Sequence, residues 1–389
     1  MREKMMHIFE NIFGSRQNSR LFFAPGRVNL IGEYTDFNGG HVLPCALTIG
    51  TYAVVRPRED KKCCFYSENF SDLGIIEALT SAIAYKREDD WANYPKGVVS
   101  IFQEEGIAIE TGFDIAFYGN IPNGAGLSSS ASIEMLMAVV LKALYDVEFS
   151  MEKMVALAQK TENEYIGVNC GIMDQFAIGM GKKEHGVLLN TSTMAYRYAH
   201  LEFGDYALVI SNTNKRRGLE DSKYNERRVE CEQAVKDLNM VISIRHLCDI
   251  DVETFEFYKH AIKSPIHLRR ARHVISENQR TIEAHDQLNN GNIKRFGALM
   301  NASHASLKED FEVTGLELDT LVTLSQKFEG VIGARMTGAG FGGCTVSLMH
   351  KEKVTDFIGE INAAYKEIIG HDADFYVVEA GNGACELVE

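Results

Sequence analysis

Basic charge is outnumbered in this chain, with 40 Lys and Arg against 54 Asp and Glu and a net charge of −14. That balance argues against a nucleic-acid or anionic-membrane surface. Proline is scarce, at 6 of 389 residues, and no low-complexity tract occurs, which argues against disorder. No uncharged apolar run approaches ~18–20 residues, so no membrane-spanning helix is expected. The first residues carry Glu3 and Glu10 and lack an apolar core, so no signal peptide is expected either. No CxxC pair exists among the eight cysteines, which are scattered from Cys45 to Cys385; reduced structural thiols and a cytoplasmic location follow as expectations. The Walker A pattern GxxxxGK[ST] is missing, as are the HRD, DFG and APE triplets and HExxH. These gaps exclude the P-loop enzymes, the protein kinases and the HExxH zinc proteases.

What is present is ordinary for a globular chain: 45% apolar and 24% charged residues. The length suggests two domains, with a boundary near residue 200, giving 1–200 and 201–389. Beyond that point strands and helices recur as a fresh α+β set. Thr48–Arg56 and Phe113–Ile121 read as strands. Ser128–Tyr145 reads as a buried helix, and Ser150 as the cap of a helix over Met151–Tyr165. Leu208–Ile210, Val331–Met336, Cys344–Met349 and Phe375–Glu379 read as further strands. Residues 250–330 read as mainly helical.

The strongest local feature is Pro122-Asn-Gly-Ala-Gly-Leu-Ser-Ser-Ser-Ala-Ser132, between an expected strand and an expected helix. Glycines at 124 and 126 let backbone N–H groups approach an anion. The helix start adds unpaired N–H donors and the positive end of its dipole. Three serines add hydroxyls, so the loop reads as a phosphate cradle. A net charge of −14 does not oppose this, because local donors suffice. A second glycine segment, Thr337–Cys344, formally matches GxGxxG. A β-branched strand follows it where a dinucleotide fold would open a helix, so it reads as a tight β–β connection or a second wall beside the first loop.

Ala24–Gly40 gathers Arg27, Glu33, Asp36 and four glycines. Carboxylates at 33 and 36 with Tyr34 suit a polyhydroxyl ligand; a solvated loop with a local Arg27–Asp36 pair is the plainer alternative. Asp174 sits in the nearly uncharged GVNCGIMDQF and is either a helix cap or functional. Glu162, in the helix before it, could reach a metal near the serines. Lys223, Tyr224, Arg227 and Arg228, and likewise Arg269, Arg270 and Arg272, read as solvated helix faces.

Taken in order, GRVNLIGEYTDFNGG (26–40), PNGAGLSSSAS (122–132) and MTGAGFGGCTVSL (336–348) resemble the GHMP small-molecule kinases, and the first segment resembles the galactokinase family among them. CGIMDQF (170–176) and NTNKRRGLEDSKYNERR (212–228) are similar to stretches of the same family. The resemblance implies an α+β, two-lobed fold: an N-terminal ribosomal-S5-domain-2-like lobe and a C-terminal ferredoxin-like lobe. It implies ATP-dependent phosphorylation of α-D-galactose at its anomeric hydroxyl, with ATP as co-substrate and Mg²⁺ as cofactor, feeding galactose catabolism. A monomer with no nucleic-acid or membrane partner is the accompanying expectation. By position, Asp174 and Arg27 fall at the catalytic places. Glu33, Tyr34, Thr35, Asp36, Gly171 and Tyr224 fall at sugar-binding places. Gly124, Ala125, Gly126, Leu127, Ser128, Ser129 and Ser130 fall in the triphosphate loop, Ser67 at a nucleotide contact, and Ser130 and Glu162 at the metal. Tyr34 departs from the family pattern, which has His there. Alternatives are a kinase for N-acetylgalactosamine, galacturonate or arabinose, or a non-catalytic galactose- and ATP-binding regulator. The pair Ser130–Ala131 speaks against the regulator, whose loop lacks it.

Overall fold

The computed structural model describes residues 1–122, 126–168, 170–215 and 220–388, with 220–222 by backbone alone. A six-stranded sheet runs in the order Cys385–Glu386, Arg20–Asn29, Pro44–Pro57, Phe113–Gly119, Lys62–Ser67, Ile76–Leu79. Its pairs are antiparallel except Lys62–Ser67 with Phe113–Gly119, which is parallel. Alternation along Pro44–Pro57 sends Ala53 and Val55 to one face and Val54 to the other, and all three are buried. Such a strand is covered on both sides. The first face carries Asn93–Glu104, Ser129–Leu144, Met151–Lys160 and Met173–Gly179 in the largest apolar core. The second face carries the N-terminal helix Arg2–Phe13 through Met5, Ile8 and Phe9.

A four-stranded antiparallel sheet follows in the order Val331–Thr337, Cys344–His350, Tyr206–Asn212, Asp374–Val378. The long helices Pro265–Asn289, Ile293–Ser306, Gly315–Lys327 and Val354–Ile369 belong to this half. A small sheet pairs His41–Val42, from the start of the chain, with His185–Asn190 and Tyr196–His200. The last strand, Cys385–Glu386, returns to the first sheet and pairs with Phe22 and Phe23. Among the described residues no helix is long and apolar enough to cross a membrane. All eight cysteines are free thiols.

The expected elements are present with shifted ends. Thr48–Arg56 lies inside Pro44–Pro57, and the buried helix is Ser129–Leu144. Ser150 does cap the next helix, accepting the Lys153 N–H at 3.2 Å. That helix is α only to Lys160, then widens into a π turn over Thr161–Ile166 that ends at Gly167 with φ +86°. Two surface assignments need correction. Arg270 is buried, paired with Glu230 at 2.7 Å and Glu312 at 2.7 Å. Arg227 is buried too, donating to the Phe311 carbonyl at 2.8 Å and to Glu230 at 3.1 Å. Both arginines lie where the helices Glu220–Leu238 and Pro265–Asn289 face each other, and their charge is compensated there rather than by water.

Candidate active site

Two cavities lie on either side of the glycine–serine loop. Gly124 and Ala125 fall outside the described residues. Gly126 has φ +67°, a conformation that side chains resist. Leu127 is buried, and its carbonyl accepts the Arg27 N–H at 3.2 Å. Ser128 is left-handed as well, at φ +61°, and stands at the N-cap of Ser129–Leu144. Its hydroxyl does not bond its own helix; it donates to Asp174 Oδ2. Two residues on, Ser130 donates to Glu162 Oε1 at 3.2 Å. Alternate serines of one loop therefore reach two different carboxylates.

Asp174 lies in the first turn of Met173–Gly179, not at its cap position. Arg27 grips it through two parallel bonds, Nε to Oδ1 at 2.7 Å and Nη2 to Oδ2 at 2.8 Å. Its third arm reaches the Gly126 carbonyl at 2.7 Å. The local Arg27–Asp36 pair considered from sequence is thus replaced by a pair 147 residues apart. Fork-to-fork pairing of this kind is strong and directional.

A cavity of about 310 Å³ opens beside this pair, lined by Glu33, Asp36, Gly171, Asp174 and Tyr224 among others. Burial pushes the Asp36 carboxyl up to about 6, with Glu33 and Asp174 adding to the effect. Gly171 lets the Asp36 carboxylate approach its backbone: a Cβ there would sit 2.2 Å from Asp36 Oδ2 and push that carboxylate aside. Glu33 lines the same cavity while its Oε1 accepts the Gly338 N–H at 2.9 Å. Tyr34 also borders the cavity, but its hydroxyl donates to the Ala339 carbonyl and its ring packs on Phe311 and Tyr224. It is a non-glycine residue at φ +68°. Thr35 is wholly buried, and its hydroxyl lies between the carbonyls of Gly32 (2.9 Å) and His41 (2.7 Å). Its side chain shapes the turn that presents Glu33 and Asp36 and stands behind them.

The second cavity, about 240 Å³, is lined by Ser67, Phe70, Trp91, Tyr94, Ser129 and Ser130 among others. Phe70 lies parallel to Trp91, with 11° between the rings and centroids 6.3 Å apart, so flat aromatic surfaces line the cavity. Ser67 is buried against it. Flat aromatic walls next to exposed helix N–H groups suit a ligand with a planar ring and an anionic tail.

Between the cavities lies a group of buried polar residues that sequence reasoning had only in part. Gln175 donates to Glu162 at 2.7 Å and to Glu134 at 3.1 Å. Burial raises Glu162, and the Asp174 charge adds to it; burial likewise raises Glu134 well above the carboxylate range. Glu134 and Gln175 were missed because a polar residue inside an apolar helix pattern carries no partner in its own neighbourhood. Phe70 and Trp91, the chain's one tryptophan, were missed because their segments carry no motif.

Family models match in three places. The GHMP kinases N terminal domain matches residues 93–182, the galactokinase galactose-binding signature 7–57, and the GHMP kinases C terminal domain 284–367. The chain is 55% identical over 379 residues to a galactokinase of Clostridium acetobutylicum, covering 97% of each chain. It is 54% identical to a galactokinase of Bacillus subtilis, covering 100% of this chain and 99% of that one. A solved galactokinase of Lactococcus lactis, complexed with galactose, superposes with a TM-score of 0.95 at 46% identity, covering 99% of this chain and 100% of that one. A mevalonate kinase of Methanococcus jannaschii, at 20% identity and a TM-score of 0.66 over 95% of this chain and 100% of that one, shares the fold alone.

Proposed function

The chain belongs to the galactokinases, within the GHMP kinases, and from this premise we propose that it transfers the γ-phosphoryl group of ATP to the anomeric hydroxyl of α-D-galactose. The product is galactose 1-phosphate. The observation that carries the reading is the two-point Arg27–Asp174 pair, at 2.7 and 2.8 Å, set between the carboxylate-lined cavity and the serine loop.

In this reading the 310 Å³ cavity takes the sugar. Asp36 and Glu33 accept hydrogen bonds from its hydroxyls, and Tyr224 packs against it. The 240 Å³ cavity takes the nucleotide base, with the triphosphate running over Gly126 to Ser130. Asp174 accepts or orients the anomeric proton as that oxygen attacks the phosphorus. Arg27 neutralises the carboxylate and stabilises charge on the transferring group. Phosphoryl transfer leaves a protein mainly with such positioning and charge compensation.

Ser130 and Glu162 would hold Mg²⁺. Their hydroxyl and carboxylate oxygens are hard donors of the kind it takes, and a cation would offset the burial, and the nearby Asp174 charge, that raise Glu162. Among the described residues no group of three His, Cys, Asp or Glu forms a metal cage. When bound, the ion neutralises phosphate charge. We also place the division between the lobes near residue 200, with Cys385–Glu386 rejoining the N-terminal lobe, and take the enzyme as a cytoplasmic monomer.

The test is a sugar panel with ATP and Mg²⁺, product identified by ³¹P and ¹H NMR. Galactose should give an α-1-phosphate, with N-acetylgalactosamine, galacturonate and arabinose much slower. Preference for another sugar, or no turnover, would overturn the reading.

A further inference from the structure

The strand Val331–Thr337 runs into the second glycine segment, and its end is bonded to the sugar-facing turn. Arg335 there is wholly buried. Its Nη1 lies 3.1 Å from the Asn29 carbonyl and 3.4 Å from Glu33 Oε1. Its Nε and Nη2 have no protein partner among the described residues. Glu277, another buried carboxylate near this turn, is already paired with Arg280 at 2.8 Å. The carboxylate that Arg335 itself reaches is Glu33, at 3.4 Å, while its charge also favours the ionised form of Glu277. The same Glu33 oxygen accepts the Gly338 N–H at 2.9 Å and lies 3.2 Å from the Thr337 hydroxyl, whose nearer acceptor is the Asn29 carbonyl at 2.9 Å. One oxygen of Glu33 thus faces Arg335, Thr337 and Gly338 together, while the residue still lines the sugar cavity.

A buried guanidinium with one carboxylate partner holds that partner tightly, because separation leaves an uncompensated charge. We propose that Arg335 is a positioning residue of the galactose site, fixing one oxygen of Glu33 so that the other is presented to a sugar hydroxyl. The second glycine segment then serves the sugar rather than the nucleotide. This rests on Glu33 being a sugar contact.

Steady-state kinetics on both substrates test it, using Glu33→Gln, Arg335→Met, the double variant, Arg335→Lys and Thr337→Val. Arg335→Met should raise the galactose KM by ~10-fold or more and leave the ATP KM within about 2-fold. The double variant should be no worse than Glu33→Gln alone, because the two act through one contact. Arg335→Lys should recover part of the loss, and Thr337→Val should raise the galactose KM several-fold. If Arg335→Met does not fold, the lysine and valine variants decide by the same selective rise. An unchanged galactose KM, an equal rise in both KM values, or additivity in the double variant overturns the proposal. A galactose KM unaffected by Glu33→Gln itself would instead remove the sugar contact on which it rests.

Discussion

Burial and its acidic neighbours lift the Asp36 carboxyl from the ordinary range to about 6. In the unfolded chain the same group titrates near ~3.9. The fold therefore disfavours the charged form. The penalty is complete above pH ~6 and vanishes below ~4, so protonation favours the folded state. Two units correspond to ~3 kcal/mol, and because Asp36 is only half-buried, screening trims this to ~1–2 kcal/mol. Asp36→Asn should raise Tm at about pH 8 and lose that gain near pH 4. Galactose affinity of the parent should fall as pH drops through about 6, and the Asn variant should bind weakly throughout. Thermal melts and titrations across pH check both slopes; a variant no more stable at pH 8 would remove the electrostatic conflict. Tyr34 is the second residue of interest. Its hydroxyl proton goes to Ala339, so it holds two segments together where a donor to sugar was considered. Tyr34→Phe should then cost ~0.5–1.5 kcal/mol of stability and raise the galactose KM by only a few-fold. A loss of affinity with no loss of stability would restore the direct contact.

At the scale of elements, the parts visible in the sequence are those whose signal is local. The glycine–serine loop was legible because its glycines and serines lie within a few residues between a strand and a helix. Strand Pro44–Pro57 and helix Ser129–Leu144 were legible from periodicity and composition. What was not legible depends on distant partners. Arg27 was weighed against Asp36, nine residues away, because its true partner comes from a helix 147 residues on that packs against Arg27's own strand. Arg270 looked solvated because Glu230 lies on another helix. The π turn Thr161–Ile166, which carries Glu162 toward Ser130, interrupts a pattern that reads as continuous α-helix. Asp174 itself was a cap or a functional group from its residues alone; only the family resemblance chose. The segment before its helix makes a direct prediction. Gly171→Ala places a Cβ 2.2 Å from Asp36 Oδ2, far inside van der Waals contact. Galactose binding should fall by ~10-fold or more while ATP binding holds, because only one cavity is disturbed. Calorimetric titration of each substrate checks this, and equal loss of both would mean general misfolding instead.

Across the whole molecule, the two halves of the chain meet at the site. The first sheet and its helices supply Arg27, the serine loop, Glu162 and Asp174. The second half supplies Tyr224 and the strand end that braces Glu33 and Tyr34. The two cavities proposed for sugar and nucleotide flank one loop whose serines reach both carboxylates. This arrangement places Asp174 at the junction, held by Arg27 and Ser128. The central claim is that this carboxylate serves the transfer and not merely the fold. Asp174→Asn keeps the shape and removes the charge. Measured by ATP turnover with galactose, kcat should fall by ~10²–10⁴-fold while galactose still binds in a titration. Near-normal kcat in a folded Asp174→Asn protein would contradict the account.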